Sequence, residues 1–267
     1  MTPRPPVMEE RDTVDERDPR ELGGHWRTAQ RIAVHEPDPD LAPWVERIWT
    51  ASWDYAEPYA QKIVPLPQVH VSVIGDSGPR VVGPRSRHMV RELVGRDAVV
   101  GAAFRPGVFR AWADRPVGRL VDRELDAADL PGLGGVWRGD MGAWLRAGVP
   151  ADGPGAAARE AGELVAHVAA DPTIARVDRL AAAAGLGMRT LQRLFAEHVG
   201  PGPKWVIRRY RLQEVVERLE TGGPEVDWAD LAATLGYADQ GHLSRDFTDL
   251  FGEPPTWYAR RYPGSPV

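Results

Sequence analysis

From Ile32 to about Gly148 the apolar positions come in short runs broken by Pro and Gly. In KIVPLPQVHVSVIGD, Val69, Val71 and Val73 alternate with polar neighbours, and RVVGP and DAVVGAAF continue the texture. Period-two alternation bounded by turn residues predicts half-buried strands, hence a β-rich region. Its later part, VFRAWADRPVGRLVDRELDAADL (108–130), has the composition to turn helical. GVPADGPG, residues 148–155, reads as a linker. From Ala156 onward apolar residues recur every three or four positions, the helical period. The pattern predicts helices near 157–169, 176–184, 188–198, 203–220, 228–235 and 240–250, with a last turn near 255–261. Leu212, Val215, Val216 and Leu219 form the buried stripe of the longest one. Asp227, followed by Asp230, is the expected N-cap of the helix near 228.

The helical region repeats itself. At an offset of 51, Leu180, Ala181, Ala182 and Gly185 match Leu231, Ala232, Ala233 and Gly236. After a one-residue insertion, Leu191, Arg193, Phe195, Gly200, Pro203 and Trp205 match Leu243, Arg245, Phe247, Gly252, Pro255 and Trp257. Each copy reads as an Ala-rich helix, a tight turn after Gly and a second helix with a polar N-terminal face. That is a helix-turn-helix, twice. Leu191, Phe195, Leu243, Phe247 and Phe251 are the expected anchors of the two second helices. Arg189, Thr190, Gln192 and Arg193 in the first copy, and Gln240, Gly241, Ser244 and Arg245 in the second, are left to face outward. A helix fits the major groove, where Arg bridges guanine O6 and N7 and Gln does the same at adenine. A connector of about seventeen residues spans ~25 Å, enough to hold two reading heads about one DNA turn, ~34 Å, apart. Lys204, with Arg208, Arg209 and Arg211, is expected to make that connector locally positive.

Composition narrows the possibilities. The formal net charge is -5, and residues 172–267 carry twelve Lys/Arg against twelve Asp/Glu, so any DNA contact depends on where the charges sit. The chain has no Cys, which removes disulfides, thiolate zinc sites and a cysteine nucleophile. It has no long apolar run, so no membrane span is expected. The stretch MTPRPPVMEERDTVDERDPR has no apolar core, so no secretory signal is expected, and a cytoplasmic location follows.

RTLQRLFAEHVGPGPKWVIRRYRLQ and LAATLGYADQGHLSRDFTDLFGEPPTWY together resemble the tandem helix-turn-helix domain of AraC-family transcriptional regulators. The second stretch carries the signature: an Ala-rich helix, Gly-aromatic, Asp, a Ser-Arg-x-Phe core and a closing Phe-Gly-x-x-Pro. The resemblance covers about 105 residues. Gly187 stands where the family usually has a Ser cap, and Gly241 gives the second helix little side chain to read with. LAPWVERIWTASWD, VPLPQVHVSVI and GAAFRPGVFRAWADRPVGRLVDRELDAADL resemble a β-rich sensor domain fused to such regulators. The resemblance implies that the first reading helix does most of the reading. It implies a bacterial, sequence-specific DNA-binding transcription regulator that is not an enzyme and needs no cofactor. Double-stranded operator DNA is the expected partner, with a small effector, RNA polymerase and a second copy of the chain as further candidates.

The expected fold class is two-domain α+β. It has a flexible arm (1–30), a β-rich, cupin-like or barrel-like effector-binding and dimerisation domain (31–148), a linker (149–155) and an all-α tandem helix-turn-helix domain (156–267) joined internally by a long helix. Trp44, Trp49, Trp53, Tyr59, His70 and Trp112 are candidates to line an effector pocket, against the blander reading that they are core. Three rival readings remain. GDSGPR (75–80) echoes the surroundings of a serine-protease nucleophile, with Ser77 as candidate, but is also a good turn. His70 and His88 are candidates for a shared metal site, though the His residues lack metal-binding spacing. The helical domain is alternatively a protein-interaction module in a regulator that no longer binds DNA.

Overall fold

The structure, a computed structural model, describes residues 30–221 and 226–261. The expected arm therefore lies outside the described residues, apart from Gln30, which opens the first strand. Six strands follow in chain order: β1 (Gln30–His35), β2 (Val45–Ile63), β3 (His70–Ile74), β4 (Arg80–Val82), β5 (Met89–Phe104) and β6 (Glu124–Asp126). They form one sheet in the order β1-β2-β5-β3-β4-β6, with every described pairing antiparallel. Among the described strands β1 and β6 are edges, so the sheet is open. Its spine is the long ladder of β2 on β5, running from Val45 opposite Phe104 to Ile63 opposite Met89. The register slips between Tyr55 and Tyr59, where Pro58 has no N–H to give a ladder.

Period-two alternation sends the two faces of the sheet into different cores. Val71, Val73, Ala102 and Phe104 join the main core under α1 (Arg110–Ala113), α2 (Met141–Arg146) and 3-10 turns at Val117–Leu120, Ala127–Asp129 and Pro131–Leu133. Rings meet edge-on there: Trp44 and Trp112 at 5.9 Å, Phe104 and Phe109 at 4.7 Å, a geometry aromatic quadrupoles favour. The stretch 108–130 is thus turns and short helices rather than one helix. On the other face Ala51, Trp53, Leu93 and Val99 form a smaller cluster with Trp49, Tyr55 and Tyr59.

The helical region begins with α3 (Ala156–Ala170), then α4 (Val177–Ala183), α5 (Met188–His198), α6 (Pro203–Thr221), α7 (Trp228–Thr234), α8 (Gln240–Phe251) and α9 (Pro255–Arg261). Periodicity placed each of these within about two residues. The long helix α6 serves two cores. Val206 and Ile207 near its start pack with Leu180, Leu191 and Phe195 of the first unit. Leu212, Val215, Val216 and Leu219 pack with Leu231, Leu243, Phe247 and Phe251 of the second. Among the described residues no helix is long and apolar enough to cross a membrane.

Candidate nucleic-acid interface

The two units are built alike to the level of single hydrogen bonds. After α4, Gly185 takes a left-handed conformation (φ 64°), its N–H reaching Ala182 O and that of Leu186 reaching Ala181 O. After α7, Gly236 (φ 71°) and Tyr237 make the same pair of bonds to Ala233 O and Ala232 O. This left-handed stop is costly for residues with a Cβ. It turns each chain sharply into its second helix. The N-caps then differ. Asp239 Oδ1 accepts from His242 N at 2.7 Å, whereas Gly187 offers no side chain to α5. Asp239→Ala should therefore cost about 1 kcal/mol, read by denaturant titration. Gly187→Ser, in open space at φ -72°, should return a few tenths of that.

The buried faces fix which side chains are left outside. Leu191, Phe195, Leu243 and Phe247 are all fully buried. Phe247 and Phe251 stack at 4.3 Å with Tyr258 edge-on beside them. On the opposite faces Arg189, Thr190, Gln192, Arg193, Gln240, Gly241 and Arg245 are exposed, as is Lys204 at the start of α6. Among the described residues Arg189, Arg193, Lys204 and Arg245 have no ion-pair partner, so their charge is uncommitted. Ser244 differs: it is half-buried, and its carbonyl accepts from Thr248 Oγ1.

The connector corrects one expectation. Arg208 pairs with Asp246 at 3.3 Å, and Arg211 donates to Ala175 O and lies over the Tyr237 ring at 5.4 Å. Arg209 is fully buried, giving Nε to Pro65 O at 2.6 Å and Nη1 to Gln213 at 3.0 Å, above the Phe251 ring. These guanidinium groups tie elements together: Arg208 and Arg211 bind within the helical region, and Arg209 reaches the β-rich region at Pro65 O. Of the four only Lys204 stays exposed.

The β-rich region meets the C-terminal ends of α5 and α8 and leaves their N-terminal halves open. Arg110 pairs with Glu197 at 2.9 Å, His198 Nδ1 lies 3.1 Å from Gly107 O, and Lys62 pairs with Glu253 at 2.9 Å. Burial holds His198 below the ordinary imidazole range, against its bond to Gly107 O. Burial also raises the Tyr210 and Tyr237 hydroxyls, which stay neutral at physiological pH. Nothing in the sequence signalled these contacts, since they join residues 87 or more positions apart.

The six candidate pocket residues do not come together. Trp44 and Trp112 are core, 2% and 0% exposed. Trp49, Trp53 and Tyr59 lie in the cluster on the opposite sheet face. His70 is out of phase with inward Val71 and falls on that second face too. A cleft of about 690 Å³ lies elsewhere, lined by residues such as Leu66, Val168, Ile174, Ile207 and Tyr210. Ser77 holds the β3–β4 turn, its Oγ accepting from Ile74 N at 3.1 Å. Among the described residues no cluster of three metal-ligating side chains exists, and His88 faces Asp249 O instead.

Residues 180–261 match a protein family described as a helix-turn-helix domain, and residues 33–126 match one described as a domain of unknown function. No curated protein matches the chain. Among solved structures the chain is similar to a probable AraC family transcriptional regulator from Rhodopseudomonas palustris, 25% identical over 39% of this chain and 96% of that one, with a TM-score of 0.34. It is similar to an AraC-type regulator from Chromobacterium violaceum, 20% identical over 41% and 96%, TM-score 0.36. It is also similar to ToxT from Vibrio cholerae, 10% identical over 87% and 98%, TM-score 0.40.

Proposed function

We propose that this chain, which belongs to the AraC family of DNA-binding transcription regulators through its helix-turn-helix domain, inserts α5 and α8 into successive major grooves. One observation carries the proposal. In both units the face turned away from the Leu-Phe anchor exposes side chains suited to base edges, Arg189, Gln192 and Arg193 on α5 and Gln240 and Arg245 on α8, with Arg193 and Arg245 at equivalent positions of the repeat. Arg189, Gln192 and Arg193 do most of the reading. Gly241 and half-buried Ser244 leave α8 little to read with, so Arg245 mainly holds a phosphate. Lys204 takes another phosphate.

Salt tests this reading. With Arg245 and Lys204 each holding a phosphate, log affinity should fall against log salt with a slope of about -2. A flat response would favour the helical domain as a protein-interaction module.

A small effector at the β-rich domain is the second part of the proposal. Its support is the aromatic cluster of Trp49, Trp53, Tyr55 and Tyr59, separate from the main core, where the buried Nε1 of Trp53 has no hydrogen-bond partner. Such a group favours an apolar ligand bearing an acceptor oxygen.

A further inference from the structure

The link between β4 and β5, residues 83–88 (GPRSRH), touches both helix-turn-helix units. On the first unit a Cβ at Gly200 would lie 3.2 Å from Pro84, and Trp205 Nε1 donates to Ser86 O at 2.9 Å. On the second a Cβ at Gly252 would lie 2.6 Å from His88 Nε2, and His88 Nδ1 is 3.4 Å from Asp249 O. Gly200 and Gly252 are equivalent positions of the repeat, and both have positive φ, 101° and 78°. A segment of five residues, 84–88, therefore seats on the same structural position of the two reading units.

The segment is itself pinned to the turn that precedes β6. Asp122, left-handed at φ 58°, accepts from Ser86 N at 2.7 Å and donates its own N–H to Pro84 O at 2.9 Å. Gly83 N donates to Arg123 O at 3.0 Å, and Gly83 sits so close to the Leu120 carbonyl that no Cβ fits.

We propose that residues 84–88 are a splint that sets the spacing between the two reading heads, so that the β-rich domain helps determine which operator spacing the chain accepts. The inference rests on the DNA-reading assignment above. The buried residues of the two cores lie on separate halves of α6, with Trp205 packing against both, so a bend or twist of that single helix moves one head against the other. A bridge fastened to both units removes that freedom without touching DNA. Two heads on one chain bind as a bivalent ligand, whose gain depends on whether geometry permits both to engage at once. Asp122 acts as a positioning residue, through Ser86. His88 and Trp205 are the two points of attachment.

The absence of Cys allows a direct test on the full chain. Ala183→Cys and Thr234→Cys, both exposed and one in each unit, would carry nitroxide labels for a pulsed electron-resonance distance measurement without DNA. The native background should give one narrow distribution. His88→Ala/Trp205→Phe should broaden it at least about twofold, as should Asp122→Ala. Asp122→Asn, which keeps the acceptor and tolerates the left-handed conformation, should stay narrow. On duplexes whose two blocks are moved apart or together by one base pair, the native chain should discriminate roughly tenfold. The His88→Ala/Trp205→Phe chain should discriminate less than about threefold, with unchanged affinity for a single block. Equal widths in native and variant overturn the splint. Loss of all DNA binding by the native chain would instead overturn the reading assignment, and the widths would still decide whether the link ties the two units.

Discussion

Arg189→Ala/Arg193→Ala should abolish specific DNA binding while leaving the fold intact. Both side chains are exposed on α5 and have no ion-pair partner among the described residues, so truncation leaves no buried charge behind. Surface changes of that kind stay within about 0.5 kcal/mol of stability. Each bidentate contact to a base contributes about 1–3 kcal/mol of discrimination, so two together should weaken specific binding by about thirtyfold or more. Fluorescence anisotropy on a labelled duplex, beside a thermal melt, measures both quantities. Arg245→Ala should cost far less in discrimination and should flatten the salt slope by about one. If the double variant bound as the native chain does, α5 would not be the reading helix.

Phe247→Ala should unfold the second unit. The ring is fully buried, stacked on Phe251 at 4.3 Å and met edge-on by Tyr258 at 5.8 Å. Removing such a side chain leaves a cavity that rigid neighbours fill only in part, at about 3–5 kcal/mol. That is a large share of the 5–15 kcal/mol that holds a typical domain. Chemical denaturation should show the loss, and footprinting should show one protected block where the native chain protects two. A destabilisation below about 1 kcal/mol would mean that α8 is held by something other than its aromatic anchor. The anchor also explains the Phe pair in GHLSRDFTDLF: spaced four apart, both rings fall on one face of α8, leaving the N-terminal half free.

The helical half was legible because its signals are local. The 3.6 period placed α3 to α9, and the repeat aligned Gly185 with Gly236 before any turn was seen. The β-rich half was less so. Period two marks a strand but does not say which strand lies beside it or which face is covered. Trp44 and Trp49 stand five residues apart in sequence, yet lie in cores on opposite sides of one sheet. The length of β2 was hidden by Pro58 at its irregularity. Arg209 shows the same limit on a helix. Its spacing on α6 is plain in the sequence, but only the fold brings Pro65 O to it and removes it from the exposed charge. The splint is the extreme case, five residues without a periodic signal of their own that meet partners in two units more than a hundred positions away.

The measurement that bears most directly on the central claim is selection of random-sequence duplexes by the full chain at low salt. Two short enriched blocks about one helical turn, ~34 Å, apart are the expected result, with the block read by α5 the more sharply defined. No enrichment from a chain shown to be folded would contradict it, and the helical domain would then have to be read as a surface for protein.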